Sequence, residues 1–419
     1  MRFSVRLLCR IVCLFFCLQS HADDIEQSLL RGQYLAQVAG CISCHTADNG
    51  ATNAGGRRFD TDLGVVYSTN ITSDNKTGMG RYSYTEFYNA LHYGQGKQRQ
   101  LLPIMPFNSF KLLTERDTLA LYRYYMSIPA VVRQLPRNQL HFPLNYDIAL
   151  NGWGWLQQRQ AWLSISHHKK NDNKAVQTTS SHGEQWQRGR YIVEAVAGCG
   201  RCHTPKSVLS QPDNSRRLAG AINQNFYAPN ITAAELRRQN WTQQDLRQLF
   251  RQGYSSRHGT VLTGAYAVPY HYLKPLSKGD MDAAISYLLD TEQPVIANRP
   301  VNYGHNQKLP GYQTYQGYCA GCHGLNGEGI EQVAPAMIGN STLNAQQPFN
   351  SVAIILKGVK PRHVEALMGF YEMPDYGEEF NNQTLADLVN YLRTTWSRQT
   401  TLLTANDVAD IRQRFEPNH

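Results

Sequence analysis

The chain has 419 residues, of which 42% are hydrophobic and 17% are charged, a balance that allows packed cores and excludes a disordered chain. A chain of this length is enough for about three domains of ordinary size. The formal net charge is +9, but no cluster of lysines or arginines accompanies it, so no nucleic-acid partner is predicted.

The first 22 residues form a segment of their own. Three arginines make a basic start, an apolar run covers residues 11–18, and small residues stand on both sides of His21. This order is typical of a secretory signal peptide that is cleaved after Ala22. The apolar run is shorter than the roughly 20 residues that span a bilayer. We therefore predict that 1–22 is a signal peptide and that the protein is exported.

The remainder of the chain repeats itself. The sequence Arg-Gly-x-Tyr precedes a cysteine pair twice, starting at Arg31 and at Arg188, and the second copy begins one residue further upstream of its cysteines. Residues 82–94 align with residues 241–253 without a gap. A third, more divergent copy keeps a helix-like stretch over residues 349–358. The repeat indicates three related units.

Each copy closes with a predicted helix. N-cap motifs with an acid three residues later begin at Thr114 and Ser277, and residues 382–396 form the third version. Apolar side chains recur at helical spacing in the first two: Leu119, Tyr122 and Met126, then Ile285, Leu288 and Leu289. Strand signals are nearly absent. The predicted fold class is therefore all-α, with long loops.

Six of the nine cysteines form three pairs, and a histidine follows each pair at once. These residues are Cys41, Cys44 and His45; Cys199, Cys202 and His203; and Cys319, Cys322 and His323. In a helical turn, residues three apart share a face, so both thiols can bond the two vinyl edges of one porphyrin, with the histidine as iron ligand. A zinc site would need two more ligands per metal, and a thioredoxin-like site would need a βαβ pattern. The pattern predicts three covalently bound haem c groups rather than disulfides.

Two methionines are candidates for the second axial ligand. Met105 lies in a loop bounded by prolines, downstream of His45, and Met373 is followed by Pro374 in copy three. A methionine beside a proline is poorly placed for a helix core, which favours ligation over packing. Met368 is a weaker competitor, because no proline follows it.

Copy two breaks this pattern. The position that corresponds to Met105 is held by Val268, and no methionine occurs between Met126 and Met281. The remaining candidates are His258 and His271, although a loop histidine is more often a solvated surface residue. We therefore expect the middle haem to be either bis-histidine or five-coordinate. In either case its potential would differ from that of its neighbours.

Together these motifs resemble a known family, the triheme cytochrome c subunit of periplasmic membrane-bound dehydrogenases. The resemblance rests on the three Cys-x-x-Cys-His units, Asn70-Ile71-Thr72, Thr77-Gly78-Met79-Gly80, the proline-bounded loop of Met105, Met373-Pro-Asp-Tyr-Gly377 and Trp396. It implies a relay subunit beside a catalytic dehydrogenase subunit of the flavin, PQQ or molybdenum type, as in gluconate, sorbitol, alcohol and aldehyde dehydrogenases. Electrons would pass through the haems to ubiquinone or a terminal oxidase. The family's middle haem has a methionine where this chain has Ala265.

The resemblance implies three tandem cytochrome c domains. Their predicted bounds are 23–165, 185–295 and 306–398, with a linker over 166–184 and a C-terminal tail over 399–419. The expected location is the periplasm, at the outer face of the inner membrane. The mature chain has no apolar run long enough to span a bilayer, so the expected attachment is peripheral, through a partner or a surface patch.

Two other functions remain open at this point. A five-coordinate middle haem could react with a small molecule such as peroxide, which would make the chain an enzyme. The chain could also be a soluble electron carrier that binds no dehydrogenase. The predicted function is nevertheless that of a non-catalytic electron-transfer subunit, because all six mature cysteines are assigned to haem and no dinucleotide-binding glycine motif is present.

Overall fold

The computed structural model describes residues 23–61, 63–97, 100–102, 104–146, 148–149, 152, 183–207, 211–223, 225–261, 272–290, 307–360, 370–397 and 399–415. The predicted signal peptide and most of the predicted linker lie outside these ranges. The chain divides into two compact units, one within residues 1–162 and one within residues 163–419. The first contains copy one, and the second contains copies two and three. The predicted boundary between copies two and three stays a prediction.

The first unit is built from short helices and one small sheet. Its helices are α1 (residues 23–38), α2 (Cys41–Cys44), α3 (Tyr84–Tyr93), α4 (Phe107–Phe110) and α5 (Glu115–Ser127). Its strands are β1 (Arg58–Thr61), β2 (Gly64–Tyr67) and β3 (Gln139–Leu140). The sheet is antiparallel in the order β1-β2-β3, with Phe59 opposite Val66 and Gly64 opposite Leu140.

The second unit contains more helices. They are α6 (Glu184–Tyr191), which continues as a π-helical segment over Ile192–Val196, α7 (Gly200–His203), α8 (Ala233–Arg238), α9 (Gln243–Gln252), α10 (Lys278–Leu289), α11 (Tyr312–Tyr318), α12 (Ala320–His323), α13 (Ser341–Asn344), α14 (Phe349–Lys357), α15 (Asn382–Trp396) and α16 (Ala405–Gln413). A 3₁₀ turn covers Asn214–Arg216. Two hairpins pair β4 (Ala221–Asn223) with β5 (Phe226–Ala228), and β6 (Tyr254–Ser255) with β7 (Thr260–Val261).

The all-α prediction is right for the main elements but omits these strands. The described residues hold seven strands of two to four residues each, in three small antiparallel sheets. Segments this short lack a run of alternating apolar residues, so their sequence signal is weak. These strands are defined only by their backbone pairing with a neighbouring strand.

Capping residues set the ends of the repeated helices. The Ser83 hydroxyl accepts from the backbone N–H of Glu86 at the start of α3, and Thr242 does the same for Asp245 in α9. Both helices end at a glycine in the left-handed region, Gly94 with φ 67° and Gly253 with φ 72°. The aligned segments of the two copies therefore fold alike.

In all three copies, a helix before the cysteines crosses the closing helix at a glycine. A Cβ at Gly32 would lie 2.1 Å from the carbonyl oxygen of Ala120, and one at Gly189 would lie 1.9 Å from that of Ala283. In copy three, a Cβ at Gly311, the residue directly before α11, would lie 2.3 Å from the carbonyl oxygen of Asp387. Only a glycine allows the two backbones to approach so closely.

A bidentate ion pair locks the same crossing in copies one and two. Arg31 donates from Nε and Nη2 to the Asp117 carboxylate at 3.0 and 2.8 Å, and Arg188 donates to Asp280 at 2.7 and 2.9 Å. Both aspartates are buried. The arginine of the repeated Arg-Gly-x-Tyr motif therefore ties the first helix of each copy to its closing helix.

The closing helix of copy one turns a different face inward from the one predicted. Its buried residues are Asp117, Thr118, Ala120, Leu121 and Tyr125, and the predicted stripe of Leu119, Tyr122 and Met126 is only half-buried. The inward face carries Asp117, which pairs with Arg31 of α1, together with the smaller Thr118 and Ala120. In copy two, Ile285, Leu288 and Leu289 are buried as predicted.

The π-helical segment explains the spacing difference between the first two copies. Gly32 lies nine residues before Cys41, whereas Gly189 lies ten residues before Cys199. The additional residue is absorbed where α6 widens over Ile192–Val196. The glycine crossing and the cysteine turn therefore keep their roles despite the insertion.

Copies two and three share a core within the second unit. Tyr227, Ala345, Phe349 and Ala353 form one buried cluster. The Asn350 side chain accepts from the backbone N–H of Tyr227 at 2.8 Å and donates to its carbonyl at 2.7 Å. A buried backbone N–H and C=O need such partners, so the Asn350 side chain bonds Tyr227 of β5 in the way that a neighbouring strand would.

Candidate haem-binding sites

Each Cys-x-x-Cys-His sequence forms a single helical turn. The backbone N–H of the histidine donates to the carbonyl of the first cysteine in all three: His45 to Cys41 at 2.8 Å, His203 to Cys199 at 3.1 Å, and His323 to Cys319 at 2.9 Å. Within the described residues, no disulfide joins any of the six cysteines. The turn places both thiols of a pair on one side, as a covalent haem requires.

The three histidines share one hydrogen-bonding arrangement. Nδ1 of each ring contacts a backbone carbonyl, so it carries the proton, and Nε2 keeps the lone pair that a metal needs. These bonds join His45 to Thr69 at 2.7 Å, His203 to Pro229 at 2.6 Å, and His323 to Pro335 at 2.9 Å. Burial lowers the pKa of all three imidazoles, which favours the neutral, metal-binding form. These residues fit a haem iron bound through Nε2.

In the first two copies, the Asn-Ile-Thr motif fixes the backbone carbonyl that contacts Nδ1 of the histidine. Thr69 and Pro229, the acceptors for the two histidines, each directly precede the asparagine of this motif. Oδ1 of Asn70 accepts from the backbone N–H of Thr72 at 2.9 Å, and Oδ1 of Asn230 accepts from Thr232 at 3.0 Å. The turn so formed fixes the carbonyl that orients the ring. Sequence reasoning found the repeat but not this role; the Asn-x-Thr spacing of an Asx turn is the signal that could have revealed it.

In copy one, Asn70 also binds the segment that follows the closing helix. Its Nδ2 donates to the carbonyl of Val131 at 2.7 Å, and the Thr77 hydroxyl accepts from the backbone N–H of Arg133 at 3.0 Å. This segment continues to β3 and completes the sheet beside the histidine loop. In copy one, Asn70 therefore fixes the loop that holds His45 and also bonds that loop to the segment after α5.

The structure places Met373 in a loop that packs against the third cysteine turn. Met373 is half-buried and forms a two-bond backbone bridge with Val359, just after α14, at 2.9 and 3.0 Å. Three residues later, Tyr376 lies close to the cysteine pair. The pKa of Tyr376 is raised mainly by burial and, to a smaller extent, by the neighbouring Cys319 and Cys322 thiols. The predicted ligand loop and the predicted haem-attachment turn thus meet in copy three.

Met105 is half-buried in a turn directly before α4. Its N–H donates to the carbonyl of Leu102 at 3.0 Å, and its carbonyl accepts from Phe107 at 2.9 Å. The Phe107 ring packs on Gly94, the glycine that ends α3. The loop that holds Met105 is thereby anchored at the end of α3, as the Met373 loop is anchored at the end of α14 in copy three.

The structure assigns His258 to the core of the second unit. Only 3% of this residue is exposed, its ring stacks on Trp241 at 3.8 Å, and Nε2 lies 3.3 Å from Oδ2 of Asp245. The ring also bonds the backbone of Gly339. The burial of the ring, its stacking on Trp241 and its bonds to Asp245 and Gly339 disfavour His258 as an iron ligand. The other candidates, His271 and Met368, lie outside the described residues, as do Val268 and Ala265.

The sequence of the chain is similar to those of known proteins. Residues 309–396 match the family model for cytochrome c. The chain is 32% identical to the gluconate 2-dehydrogenase cytochrome c subunit of Pantoea cypripedii, covering 94% of this chain and 91% of that protein. It is 31% identical to the fructose dehydrogenase cytochrome subunit of Gluconobacter japonicus, covering 93% and 84%.

A third relative is much longer. The chain is 32% identical to a subunit of the nicotinate dehydrogenase of Pseudomonas putida, with 87% of this chain matched but only 30% of the relative. The names of the three relatives give dehydrogenases of different substrates, and the range matched by the family model contains the third cysteine turn. The chain belongs to the family of cytochrome c subunits of bacterial dehydrogenases.

Proposed function

We propose that this chain binds three haems c, one at each cysteine turn, and relays electrons from a dehydrogenase to the respiratory chain. The observation that carries the proposal is the geometry shared by His45, His203 and His323, in which a backbone carbonyl holds Nδ1 and leaves Nε2 for iron. Three such sites in one chain would hold a series of haems along which single electrons can pass.

The residues of the chain have distinct roles in this relay. The paired thiols would attach each porphyrin, the histidine would supply a nitrogen to the iron, and Met105 and Met373 would supply a sulfur ligand in copies one and three. Each haem, when bound, accepts and releases one electron at its iron. Methionine ligation raises the potential of the first and third haems relative to a haem with a second histidine.

The middle haem is proposed to differ from the other two. The structure gives His258 other partners, which leaves His271 or an open position as the alternatives. An open position is also what the second candidate function requires, namely a haem enzyme that binds a small molecule at the middle iron. Carbon monoxide binding to the reduced native protein separates the alternatives: rapid binding at one haem of three indicates an open position, and none indicates a six-coordinate relay.

The haem count and the ligand assignment can be tested together. The intact mass of the mature protein is expected to show three haems, and a variant with Cys199→Ala and Cys202→Ala is expected to show two. A potentiometric titration should then give two high-potential waves and one low wave, with the low wave absent from the double variant. A mature protein with fewer than three haems, or three closely spaced high waves, contradicts this assignment.

The proposed partner is a catalytic dehydrogenase subunit of the flavin, PQQ or molybdenum type, and the proposed acceptor is ubiquinone or a terminal oxidase. The names of the relatives support such a partner. Purification of the tagged chain from its own membranes should recover a dehydrogenase, whose substrate should reduce the haems, with a ubiquinone analogue reoxidising them. A chain that purifies alone, and that no dehydrogenase reduces, would instead be a free carrier.

The proposed location is the periplasm, at the outer face of the inner membrane. In the part of the chain that the structure describes, no helix is long and apolar enough to cross a membrane. Three apolar side chains after β3 in copy one are exposed, with Phe142 at 81%, Tyr146 at 58% and Ile148 at 83%, and the Phe142 and Tyr146 rings contact each other edge to face. Such side chains suit peripheral attachment to a partner or to lipid. Release by salt alone would favour the partner over lipid.

A further inference from the structure

The C-terminal helix α16 contacts the loop that holds Met373. Its residue Arg412 donates from Nη2 to the carbonyl of Phe380 at 2.7 Å and from Nε to Oδ1 of Asn382 at 2.9 Å. It also donates from Nη1 to the carbonyl of Gly377. One guanidinium thus binds three successive parts of the chain between Met373 and the start of α15.

The other end of this loop is held by α14. Besides the bridge between Met373 and Val359, the backbone N–H of Tyr376 donates to the carbonyl of Ile355 at 2.9 Å. The Tyr376 ring stacks on Phe380, with ring centroids 5.1 Å apart. The loop is therefore fixed at its beginning by the end of α14 and at its end by Arg412.

Helix α16 is itself well anchored, so it can serve as a rigid support. A capping box between Thr404 and Asp407 starts the helix, and Val408 is fully buried in the core of copy three. Just before the helix, the Asn390 side chain exchanges two hydrogen bonds with the backbone of Leu403, at 2.9 and 2.8 Å. The segment predicted as a tail over 399–419 thus packs against copy three through Leu403 and α16.

We propose that Arg412 is a positioning residue for Met373, holding the loop so that the methionine sulfur meets the third haem iron. This inference rests on the proposed function, in which Met373 is an axial ligand. The bonds are charge-assisted, and the planar guanidinium presents its donors in a fixed fork, which the single ammonium of lysine does not reproduce. Loss of the fork frees the loop at one end and lets the sulfur leave the iron.

The test uses the full, haem-loaded protein and four variants. Met373→Ala defines the signal of the third haem, Arg412→Gln removes the fork, and Arg412→Lys restores only the charge. Arg414→Gln is the control, because Arg414 lies at the end of the same helix over the Phe349 ring, 6.0 Å from its centroid. The readouts are the methionine-to-iron charge-transfer band of the oxidised protein and the three midpoint potentials.

We expect Met373→Ala to remove part of the band and to lower one potential. Arg412→Gln should weaken the same part of the band and lower the same potential, Arg412→Lys should give an intermediate loss, and Arg414→Gln should change neither. A normal band and potential in Arg412→Gln, with only a lower melting temperature, would reduce Arg412 to a structural role and overturn the inference. Full rescue by lysine would also overturn it, because charge alone would then suffice.

The failure of the proposed function gives a different result. If Met373→Ala leaves the band and all potentials unchanged, the ligand assignment itself is wrong and the role of Arg412 is overturned with it. If the Arg412→Gln protein does not accumulate, Asn382→Ala is measured in its place, because this change removes only the acceptor of the Arg412 Nε bond. A smaller loss of the same band supports the inference, and an unchanged band contradicts it.

Discussion

At the scale of single residues, the candidate sites depend on groups that hold a functional side chain in place. The three histidines proposed to bind iron are oriented by carbonyls that lie 24, 26 and 12 residues further along the chain. In two copies an asparagine fixes that carbonyl through an Asx turn. A ring held in this way has already lost its rotational freedom before a metal binds. Presenting Nε2 to iron would therefore cost less entropy, which favours binding.

His92 in α3 provides a pH-dependent prediction at this scale. It is buried, stacks on Tyr88 at 3.9 Å and contacts Oγ1 of Thr118 through Nε2 at 2.9 Å. Burial lowers its pKa from the ordinary 6.5. Because the unfolded chain binds the proton more readily, the stabilisation is present above 6.5 and is lost as pH falls from there towards the folded pKa.

We therefore expect His92→Gln to unfold with a weaker pH dependence than the parent protein as the pH falls below about 6.5. The measurement is the free energy of unfolding in denaturant at several pH values, followed by circular dichroism. The slope against pH should be smaller in the variant, since one group that protonates on unfolding is gone. Equal slopes would show that His92 does not contribute to the acid sensitivity.

At the scale of elements, one crossing recurs in all three copies. A helix before the cysteines meets the closing helix at a glycine, and in two copies an arginine beside that glycine pairs with an aspartate of the closing helix. The spacing from glycine to cysteine is nine, ten and eight residues in the three copies. The crossing is kept while the connection to the cysteines varies, and in copy two a π-helical segment accommodates the difference.

Gly189→Ala tests this crossing. The new Cβ would lie 1.9 Å from the Ala283 carbonyl oxygen, so the two helices must separate, and we expect a loss of about 1–3 kcal/mol in the free energy of unfolding. Gly279→Ala is a matched control in the same copy, because nothing lies within 4 Å of a Cβ there. The control should keep or slightly raise stability. A loss of equal size in both variants would show that helix crossing is not the cause.

At the scale of the whole molecule, the three sequence copies are not three equal structural parts. The chain divides into two compact units, and copies two and three fall within the same one. A buried cluster and the paired bonds of Asn350 to Tyr227 join these copies. Copies two and three should therefore unfold together.

Asn350→Ala tests this coupling. It leaves the buried N–H and C=O of Tyr227 without their partner, and we expect a loss of about 1–3 kcal/mol in the unfolding free energy of the second unit. Asn138→Ala is the matched control, since its Oδ1 accepts from the Tyr67 N–H in the first unit. In calorimetry, the first change should shift the transition of copies two and three, and the second should shift only that of copy one. A transition of copy two that moves without copy three would contradict the shared core.

The sequence by itself determined the local chemistry of this protein. The cysteine turns, the N-caps at Thr114 and Ser277 and the helix over 382–396 were all predictable, because each depends on residues within about one or two turns of one another. Only the tertiary structure decided which carbonyl holds each histidine, that His258 belongs to a core, and that Arg412 reaches the Met373 loop. The contacts of the three histidines and of Arg412 join residues 12 to 35 positions apart, and such pairings arise from packing rather than from local preference.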